Sequence, residues 1–408
     1  MLDLLKHDRP EVLVIGAGPA GTTTAMLLAR RGHEVVLLDK ARFPRAKACA
    51  EYVNPAAAEI LGRIGVYERA LGAGAAPVAG MRVITPRGAR FTLDYAGGTP
   101  YPALGLSREQ LDWLLVGRAR ECGVDVREGS PIREVTREPG GQIRVRALVA
   151  AQERLLYPRL LIGADGRYSV VAWGLGVSRD VRWPRRIGLA AHYRDFPSAN
   201  DFGEMHVAPH GYCGIAPQEQ ERVNVAMVLN LARFRARGGE RQPVTRHFEA
   251  LLASFPGLAG RASRAERVSV VRGVGPLAHC VTRVAGDGFL LVGDAAGFFD
   301  PFTGEGIFDA LHGGELAAAT ASQALKEDNL SASGLAAYRQ ARTRAFAAKR
   351  RAAWLMQIFL HYPSLLSYAA GRVSRRPHVA TVMSGVLGGY GDAGVMLSPA
   401  FLWQALRP

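Results

Sequence analysis

Three glycines, Gly16, Gly18 and Gly21, have the spacing Gly-x-Gly-x-x-Gly between the apolar run 12–15 and a helical stretch. In this pattern the first glycine permits a tight turn, the second lets the backbone approach a pyrophosphate, and the third lets the helix pack on the strand. Free N–H groups at the helix N-terminus favour phosphate binding, and an acidic residue after the second strand accepts hydrogen bonds from ribose hydroxyls. The residues predicted to bind a dinucleotide here are Gly16, Gly18, Pro19, Ala20, Gly21, Asp39 and Lys40.

Two further motifs follow along the chain. Gly-Ala-Asp-Gly at 163–166 follows a short apolar strand, and Gly-Asp-Ala-Ala-Gly at 293–297 follows the buried strand 289–292. In this order the three motifs resemble the fingerprints of class A flavoprotein oxidoreductases, the p-hydroxybenzoate hydroxylase superfamily. The resemblance covers nearly the whole chain, and it implies FAD as the cofactor with NAD(P)H as the electron donor.

The resemblance also assigns residues to the FAD site. It implies that Asp165 and Gly166 contact FAD, that Asp294, after Gly293, holds the ribitol chain, and that Arg108 contacts the flavin.

Two segments are similar to the geranylgeranyl reductase-like branch of that superfamily. They are Pro-Arg-Ala-Lys-Ala-Cys-Ala at 44–50, in which alanine replaces the glycine of the branch, and Asp-Pro-Phe-Thr-Gly-Glu-Gly-Ile at 300–307. In the second segment, backbone N–H groups at a helix start can stabilise negative charge on reduced flavin. Asp300 and Glu305 can equally be turn and cap carboxylates. The residues predicted to bind FAD in this segment are Gly304, Glu305, Gly306 and Ile307.

Catalysis is expected to reside on the flavin, and the candidates beside it are Cys49, Tyr212 and Pro301. A lone cysteine such as Cys49 is more often a small core residue. His206 and His210 have a metal-like HxxxH spacing, but Pro209 between them disfavours the helix that would align them, so no metal site is predicted.

Departures from the branch affect the predicted reaction. The prenyl reductases carry Tyr-x-Trp-x-Phe-Pro, whereas residues 212–217 keep only its tyrosine and proline. Halogenases of this fold need a lysine between flavin and substrate, and no lysine lies between Lys47 and Lys326. We therefore expect an NAD(P)H-dependent monooxygenase of a hydrophobic aromatic, polyketide or quinone-like molecule. A reductase of carbon–carbon double bonds is the alternative, and a basic scaffold without turnover is the alternative outside enzymes.

Composition limits the other classes of protein. The 408 residues, 48% hydrophobic and 21% charged, exclude a disordered chain and a disulfide mini-protein. The net charge of +15 comes mostly from arginines spread along the chain, which disfavours a nucleic-acid partner. Four scattered cysteines and the lack of a signal-peptide pattern favour a cytoplasmic protein. No oligomeric state is predicted.

The C-terminal arginines surround apolar residues at helical spacing between Trp354 and Leu360. We favour a helix that covers the FAD domain with a solvated basic face. The alternative is a peripheral contact with a membrane surface.

The predicted fold is α/β: a doubly wound, Rossmann-like FAD-binding domain of the glutathione reductase type 2, with an inserted mixed β-sheet substrate domain and C-terminal helices. The expected FAD-binding parts are 9–80, 101–180 and 273–345. The substrate domain takes 81–100 and 181–272, and the C-terminal helical region takes 346–408.

Overall fold

The structure, a computed structural model, describes residues 8–198, 201–236 and 243–407. Its strands are, in chain order, β1 (Val12–Ile15), β2 (Val35–Leu38), β3 (Tyr52–Val53), β4 (Ala76–Val78), β5 (Gly80–Ile84), β6 (Arg90–Asp94), β7 (Ala103–Gly105), β8 (Asp125–Arg127), β9 (Ile132–Arg137), β10 (Ile143–Val149), β11 (Gln152–Leu156), β12 (Leu160–Gly163), β13 (Ser178–Arg179), β14 (Arg186–Arg194), β15 (Phe202–Ala208), β16 (Gly211–Pro217), β17 (Val223–Asn230), β18 (Glu266–Arg267), β19 (Arg272–Val274), β20 (Cys280–Val281), β21 (Ala285–Gly286) and β22 (Phe289–Leu291).

The α-helices are α1 (Pro19–Ala29), α2 (Pro55–Arg63), α3 (Tyr67–Gly72), α4 (Arg108–Glu121), α5 (Val170–Gly174), α6 (Leu231–Ala236), α7 (Val244–Ala253), α8 (Ala259–Ala262), α9 (Gly306–Lys326), α10 (Ala336–His361), α11 (Pro363–Val373), α12 (Pro377–Gly388) and α13 (Pro399–Leu406). Capping residues explain several helix starts: Asn54, Ser107 and Ser398 each accept a hydrogen bond from a backbone N–H in the first turn of the helix that follows.

The first large sheet has the strand order β21-β22-β12-β1-β2-β8, with parallel pairing from β22 to β8. Strand β1, inside this sheet, is buried on both faces because its successive side chains enter two different cores. Val12 and Val14 belong to the core that contains residues of α1, α4 and α9, and Leu13 and Ile15 belong to the core with the small sheet β11-β10-β9. This is the predicted doubly wound FAD-binding architecture.

The second large sheet has the order β18-β14-β17-β16-β15-β5-β6, and β19 also pairs with β14. It is called the substrate sheet, after the domain predicted for these residues. It is mixed, because β5 pairs with β15 in parallel and its other pairs are antiparallel. The outer face of this sheet is covered by α7, through a core that contains Leu189, Met227 and Phe248. The opposite face, called the inner face, carries the alternate residues of the same strands, such as Ala190 and Ala226.

The C-terminal helices pack on the β5–β6 hairpin, where Phe91 and Leu93 share a core with Val379 and Met383. Three predicted boundaries fall inside elements of the structure. The boundary at 345/346 cuts α10, which is continuous from Ala336 to His361, and the boundaries at 80/81 and 272/273 cut β5 and β19. Helix α10 therefore joins the FAD-binding part to the C-terminal region without a linker.

Candidate functional site

The first glycine motif forms the turn between β1 and α1. Gly16 has φ +102°, a conformation that favours glycine. A Cβ on Gly21 would lie 1.8 Å from the Gly16 carbonyl oxygen, so glycine is required where helix and strand meet. Gly18, by contrast, has ordinary extended backbone, and a Cβ there would meet only two guanidinium groups, at 3.7 and 3.8 Å. The open space beside Gly18 is therefore bounded by positive charge.

The two guanidinium groups belong to Arg108 and Arg45. Both bind the fully buried carboxylate of Asp112: Arg108 through two hydrogen bonds of 3.0 and 2.9 Å, and Arg45 through an ion pair of 3.0 Å. Lys47 lies beside them, and burial, followed by repulsion from Arg108, lowers the pKa of its ammonium group. The cluster carries more positive than negative charge, as a diphosphate requires. Sequence reasoning named Arg108 but missed Arg45 and Asp112.

Asp39 lies at the end of β2, as predicted. Its carboxylate accepts hydrogen bonds from the backbone N–H groups of Ala17, at 2.7 Å, and Ala41, at 2.8 Å. These bonds hold the glycine turn against β2 and leave one lone pair on each carboxylate oxygen for a ribose hydroxyl. Lys40 is exposed beside it. Pro19 and Ala20 are buried in the first turn of α1.

The Asp165 carboxylate is engaged within the protein, so its predicted contact with FAD stays a prediction. Its carboxylate accepts hydrogen bonds from the Ser169 hydroxyl at 2.6 Å and from the N–H groups of Val170 and Val171, so it caps α5. Burial raises the pKa of Asp165, while these hydrogen bonds oppose the rise. The next residue, Gly166, has φ +83° and lies near the Lys47 ammonium, so it borders the cationic cluster.

The third motif forms a 3₁₀ turn, Gly293–Ala296, directly after β22. Gly293 has φ +57°, and a Cβ there would meet the Cβ of Ala20 at 2.8 Å, so this turn is in close contact with α1. Asp294 is half-buried, and its charge acts on Lys47 and on Asp309. The structure thus brings the first and third motifs together, although they are far apart in sequence.

The segment 300–307 connects this turn to α9. Pro301 is half-buried, Gly304 has φ +71° and packs against the Tyr52 ring, and Ile307 is buried. Gly306 is the first residue of α9, whose N-terminal N–H groups are free of helical partners. The Glu305 carboxylate is ion-paired with Lys349 of α10 at 2.6 Å. Glu305 is therefore a structural anchor between α9 and α10 rather than a side-chain cap.

Asp300 joins this segment to the substrate sheet. Its carboxylate accepts a hydrogen bond from the Tyr212 hydroxyl at 2.7 Å and one from Arg186 at 2.9 Å. Burial, together with the Asp300 charge, raises the pKa of Tyr212 well above its ordinary value. The Tyr212 hydroxyl is thus committed to Asp300 and holds this segment against the sheet.

Asp309, in the first turn of α9, was missed by sequence reasoning. Its Oδ1 is buried and has no hydrogen-bond partner in the part of the chain that the structure describes. Burial, followed by the Glu305 carboxylate, raises the pKa of Asp309 to about 7, while Lys349 and Arg342 lower it. A buried carboxyl group with a raised pKa therefore lies at the start of α9.

The segment 43–51 is held by the inner face of the substrate sheet. The Cys49 carbonyl accepts a hydrogen bond from Asn224 at 2.9 Å, and the Glu51 carbonyl accepts one from Gln218 at 3.2 Å. The Glu51 carboxylate accepts the Arg108 N–H at 2.9 Å and lies 2.6 Å from Nε2 of His192. The Cys49 sulfur accepts the Glu51 N–H, and Cys49 is half-buried. Neither Glu51 nor His192 carried a sequence signal of this pairing.

The inner face of the sheet also carries a row of small side chains. The register places Ala190 beside Ala226, Ala226 beside Gly214, and Gly214 beside Met205. Two residues along the strands on one side of this row, His192 pairs with Asn224. On the other side lies an apolar cluster that joins the sheet to the segment 298–302 and α10. The buried members of this cluster are Val207, Tyr212, Val228, Leu277, Phe302, Leu360 and Leu366.

These residues fit FAD. Gly18, Arg45, Arg108 and Lys47 would hold the pyrophosphate, because a Cβ at Gly18 would fill the space that the guanidinium groups bound. Asp39 and Asp294 would accept from ribose and ribitol hydroxyls. The N–H groups of Gly304, Glu305, Gly306 and Ile307 would face the flavin edge that carries negative charge when the cofactor is reduced.

His206 and His210, for which no metal site was predicted, both contact other groups of the protein. The two ring nitrogens of His206 contact Glu204 at 2.7 Å and the Pro256 carbonyl at 2.9 Å, and His210 contacts Ser254. Among the described residues, no group of three His, Cys, Asp or Glu side chains could hold a metal ion. Within 8–198, 201–236 and 243–407, no helix is sufficiently long and apolar to span a membrane.

Known proteins similar in sequence to this chain include FAD-binding proteins and reductases. A model of the FAD binding domain family matches residues 9–352. Digeranylgeranylglycerophospholipid reductase 1 of Methanopyrus kandleri is 30% identical over 335 residues, which cover 80% of this chain and 84% of that protein. The menaquinone reductase of Mycolicibacterium smegmatis is 28% identical over 328 residues, 76% of each chain.

Solved structures with similar folds differ in their reactions. A geranylgeranyl bacteriochlorophyll reductase-like protein from Thermoplasma acidophilum has a TM-score of 0.81 at 22% identity and covers 97% of this chain and 98% of that chain. The flavin-dependent brominase Bmp2 has a TM-score of 0.80 at 22% identity, with coverage of 95% and 97%. The fold alone therefore does not distinguish between these reactions.

Proposed function

Because the chain belongs to the FAD binding domain family, we propose that this FAD-dependent oxidoreductase is a reductase of a carbon–carbon double bond in a hydrophobic, isoprenoid-like molecule. The relatives named above support this reaction, since both are reductases. The sequence favoured a monooxygenase because part of the prenyl-reductase aromatic motif is lost. That preference is not confirmed, and the names of the relatives favour a reductase.

The observation that carries the proposal is the composition of the inner sheet face. Ala190 and Ala226 have small side chains and Gly214 has none, so the protein adds little bulk to this face, and the adjoining cluster is apolar. Such a surface accommodates a hydrocarbon chain and offers few partners to a polar ring. The loss of the bulky aromatic residues from 212–217 then means a wider slot, since Gly214 stands where the motif has tryptophan.

Reduction of a double bond requires a hydride on one carbon and a proton on its neighbour. Bound FAD, reduced by NAD(P)H, supplies the hydride in this proposal. The proton is assigned to Nδ1 of His192, because the other ring nitrogen, Nε2, is held by the Glu51 carboxylate at 2.6 Å. The carboxylate partner fixes the orientation of the imidazole ring, as proton transfer requires.

The test is anaerobic turnover of the NAD(P)H-reduced protein with a prenylated quinone or a geranylgeranyl lipid. We expect substrate-dependent flavin reoxidation without oxygen and a product heavier by two hydrogen atoms. A product heavier by one oxygen atom, formed only in air, would establish the monooxygenase. A colourless protein that cannot be reconstituted with FAD would establish the scaffold.

A pair of variants tests the proton donor. His192→Gln is expected to bind FAD normally and to slow flavin oxidation by the substrate. His206→Gln is the matched control, because His206 also pairs with a glutamate but lies on the outer face of the same sheet. Equal rates in the two variants would remove His192 from the reaction. Reoxidation by O₂ alone should be unchanged in both, which separates a proton-transfer role from damage to the flavin site.

A further inference from the structure

Large apolar side chains are exposed together along α10 and into α11. Trp354 is 53% exposed, and Ile358, one helical turn later, is also exposed. Trp183 lies against Trp354 with 5.2 Å between ring centroids. Together these exposed residues form an aromatic strip, which consists of Trp183, Trp354, Ile358, Tyr362 and Leu365. Contiguous exposed apolar surface of this kind marks an interaction site.

The charges around the aromatic strip have one sign. Exposed arginines flank it at Arg182, Arg185 and Arg351. From 329 to 391 the chain has nine lysine and arginine residues and no aspartate or glutamate. This imbalance spans α10, α11 and α12, so the partner of the aromatic strip is negatively charged.

We propose that the aromatic strip docks on the surface of an anionic phospholipid bilayer. Trp and Tyr rings prefer the boundary between hydrocarbon and headgroups, and arginines bind the headgroup phosphates. The long α10 would lie on the surface, with Trp354 and Ile358 inserted and its buried face kept on the protein.

The position of the strip also links it to the proposed substrate. Trp354 stacks on Phe299, with ring centroids 6.2 Å apart, and Phe299 precedes the segment that contains Asp300 and Phe302. Phe302 in turn contacts the Tyr212 ring, at 5.0 Å. The docked strip would therefore lie next to the apolar cluster beside the inner sheet face. This second step rests on the proposed function, whereas bilayer docking itself does not.

Binding to vesicles tests the docking directly. The FAD-loaded protein is mixed with vesicles of phosphatidylcholine alone or with added phosphatidylglycerol, and sedimentation measures the bound fraction. We expect binding only with phosphatidylglycerol, weakened by salt, and quenching of tryptophan fluorescence by bromine-labelled lipid chains. Absence of binding to the anionic vesicles would overturn the proposal.

Variants distinguish this surface from general attraction of a basic protein. Trp354→Ser combined with Ile358→Ser should lower the affinity for vesicles about tenfold or more and reduce the quenching. Trp173→Ser is the matched control, because Trp173 is 78% exposed but lies on α5, outside the strip. Equal loss in both variants would contradict the proposal.

Charge is tested by Arg351→Glu, with the exposed Arg133 of β9 changed to glutamate as its control. Only Arg351→Glu should weaken binding strongly. A dimer that dissociates in the Trp354 and Ile358 variant, seen by light scattering without vesicles, would instead identify a second copy of the chain as the partner. Turnover of detergent-dispersed substrate is measured alongside, since it should persist in these variants if the proposed function holds.

Discussion

The Tyr212 hydroxyl donates a hydrogen bond of 2.7 Å to the Asp300 carboxylate, and this bond joins the substrate sheet to the loop that leads into α9. Arg186, the first residue of β14, completes the contact at 2.9 Å from the same carboxylate. The loop expected to face the flavin is thus held by two strands of the other sheet. A change in the substrate sheet can therefore reach the cofactor site through Asp300.

The first prediction concerns this contact. Tyr212→Phe removes one hydrogen bond and should lower the free energy of unfolding by about 1 kcal/mol. Asp300→Ala leaves Arg186 as an uncompensated, largely buried charge and should lower it by about 3 kcal/mol or more. Urea unfolding measures both values. Arg146→Gln, which removes exposed ion pairs on β10, is the control and should stay within about 0.5 kcal/mol. Equal effects of the two site variants would show that the Asp300–Arg186 pair is not the anchor.

The second prediction separates two glycines of one motif. Gly18→Ala should leave the fold intact, because its Cβ meets only side chains at ordinary contact distance, but should strongly weaken FAD binding. Gly21→Ala should destabilise the protein itself, because its Cβ would lie 1.8 Å from the Gly16 oxygen. FAD titration and thermal unfolding are measured for both variants. Tight FAD binding by Gly18→Ala would show that the pyrophosphate lies elsewhere.

The third prediction concerns Asp294. Asp294→Ala should weaken FAD binding about 10- to 150-fold, the value expected for losing a charge-assisted hydrogen bond of about 1.5–3 kcal/mol. Asp287→Ala provides a comparison outside the site, since that carboxylate accepts the Ala332 N–H. Flavin fluorescence during FAD titration gives both affinities. An unchanged affinity in folded Asp294→Ala protein would remove this residue from the cofactor site.

The fourth prediction concerns pH. The pKa of Asp309 is raised from 3.8 to about 7, so the folded state holds a proton that the unfolded state releases between these values. The contribution of Asp309 to stability therefore falls as pH rises from 3.8 to about 7 and is constant above that. Its charge faces Glu305 and Asp294, which oppose ionisation, and Lys349 and Arg342, which favour it.

Asp309→Asn removes this titration and should be more stable than the parent protein above pH 7, with the difference shrinking toward pH 4. Thermal unfolding of the FAD-loaded proteins across this pH range measures the difference. A difference that does not vary with pH would mean that Asp309 keeps its ordinary pKa.

Local patterns were sufficient to predict much of the fold. The apolar run before Gly16 and the glycine spacing determine a strand, a turn and a helix within about 30 residues, because each preference acts between near neighbours. The helix starts at Asn54 and Ser107 were predictable for the same reason, since a cap acts on its own first turn.

Long-range pairings were decided only by the tertiary structure. The contacts of His192 with Glu51 and of Glu305 with Lys349 depend on strand register and on how helices pack, and a register shift by one residue would send His192 to the opposite face. The sequence likewise indicated that α10 has apolar and basic residues at helical spacing. Which of them face solvent depends on the face that the other helices and sheets bury, and that packing leaves Trp354 and Ile358 on the outside.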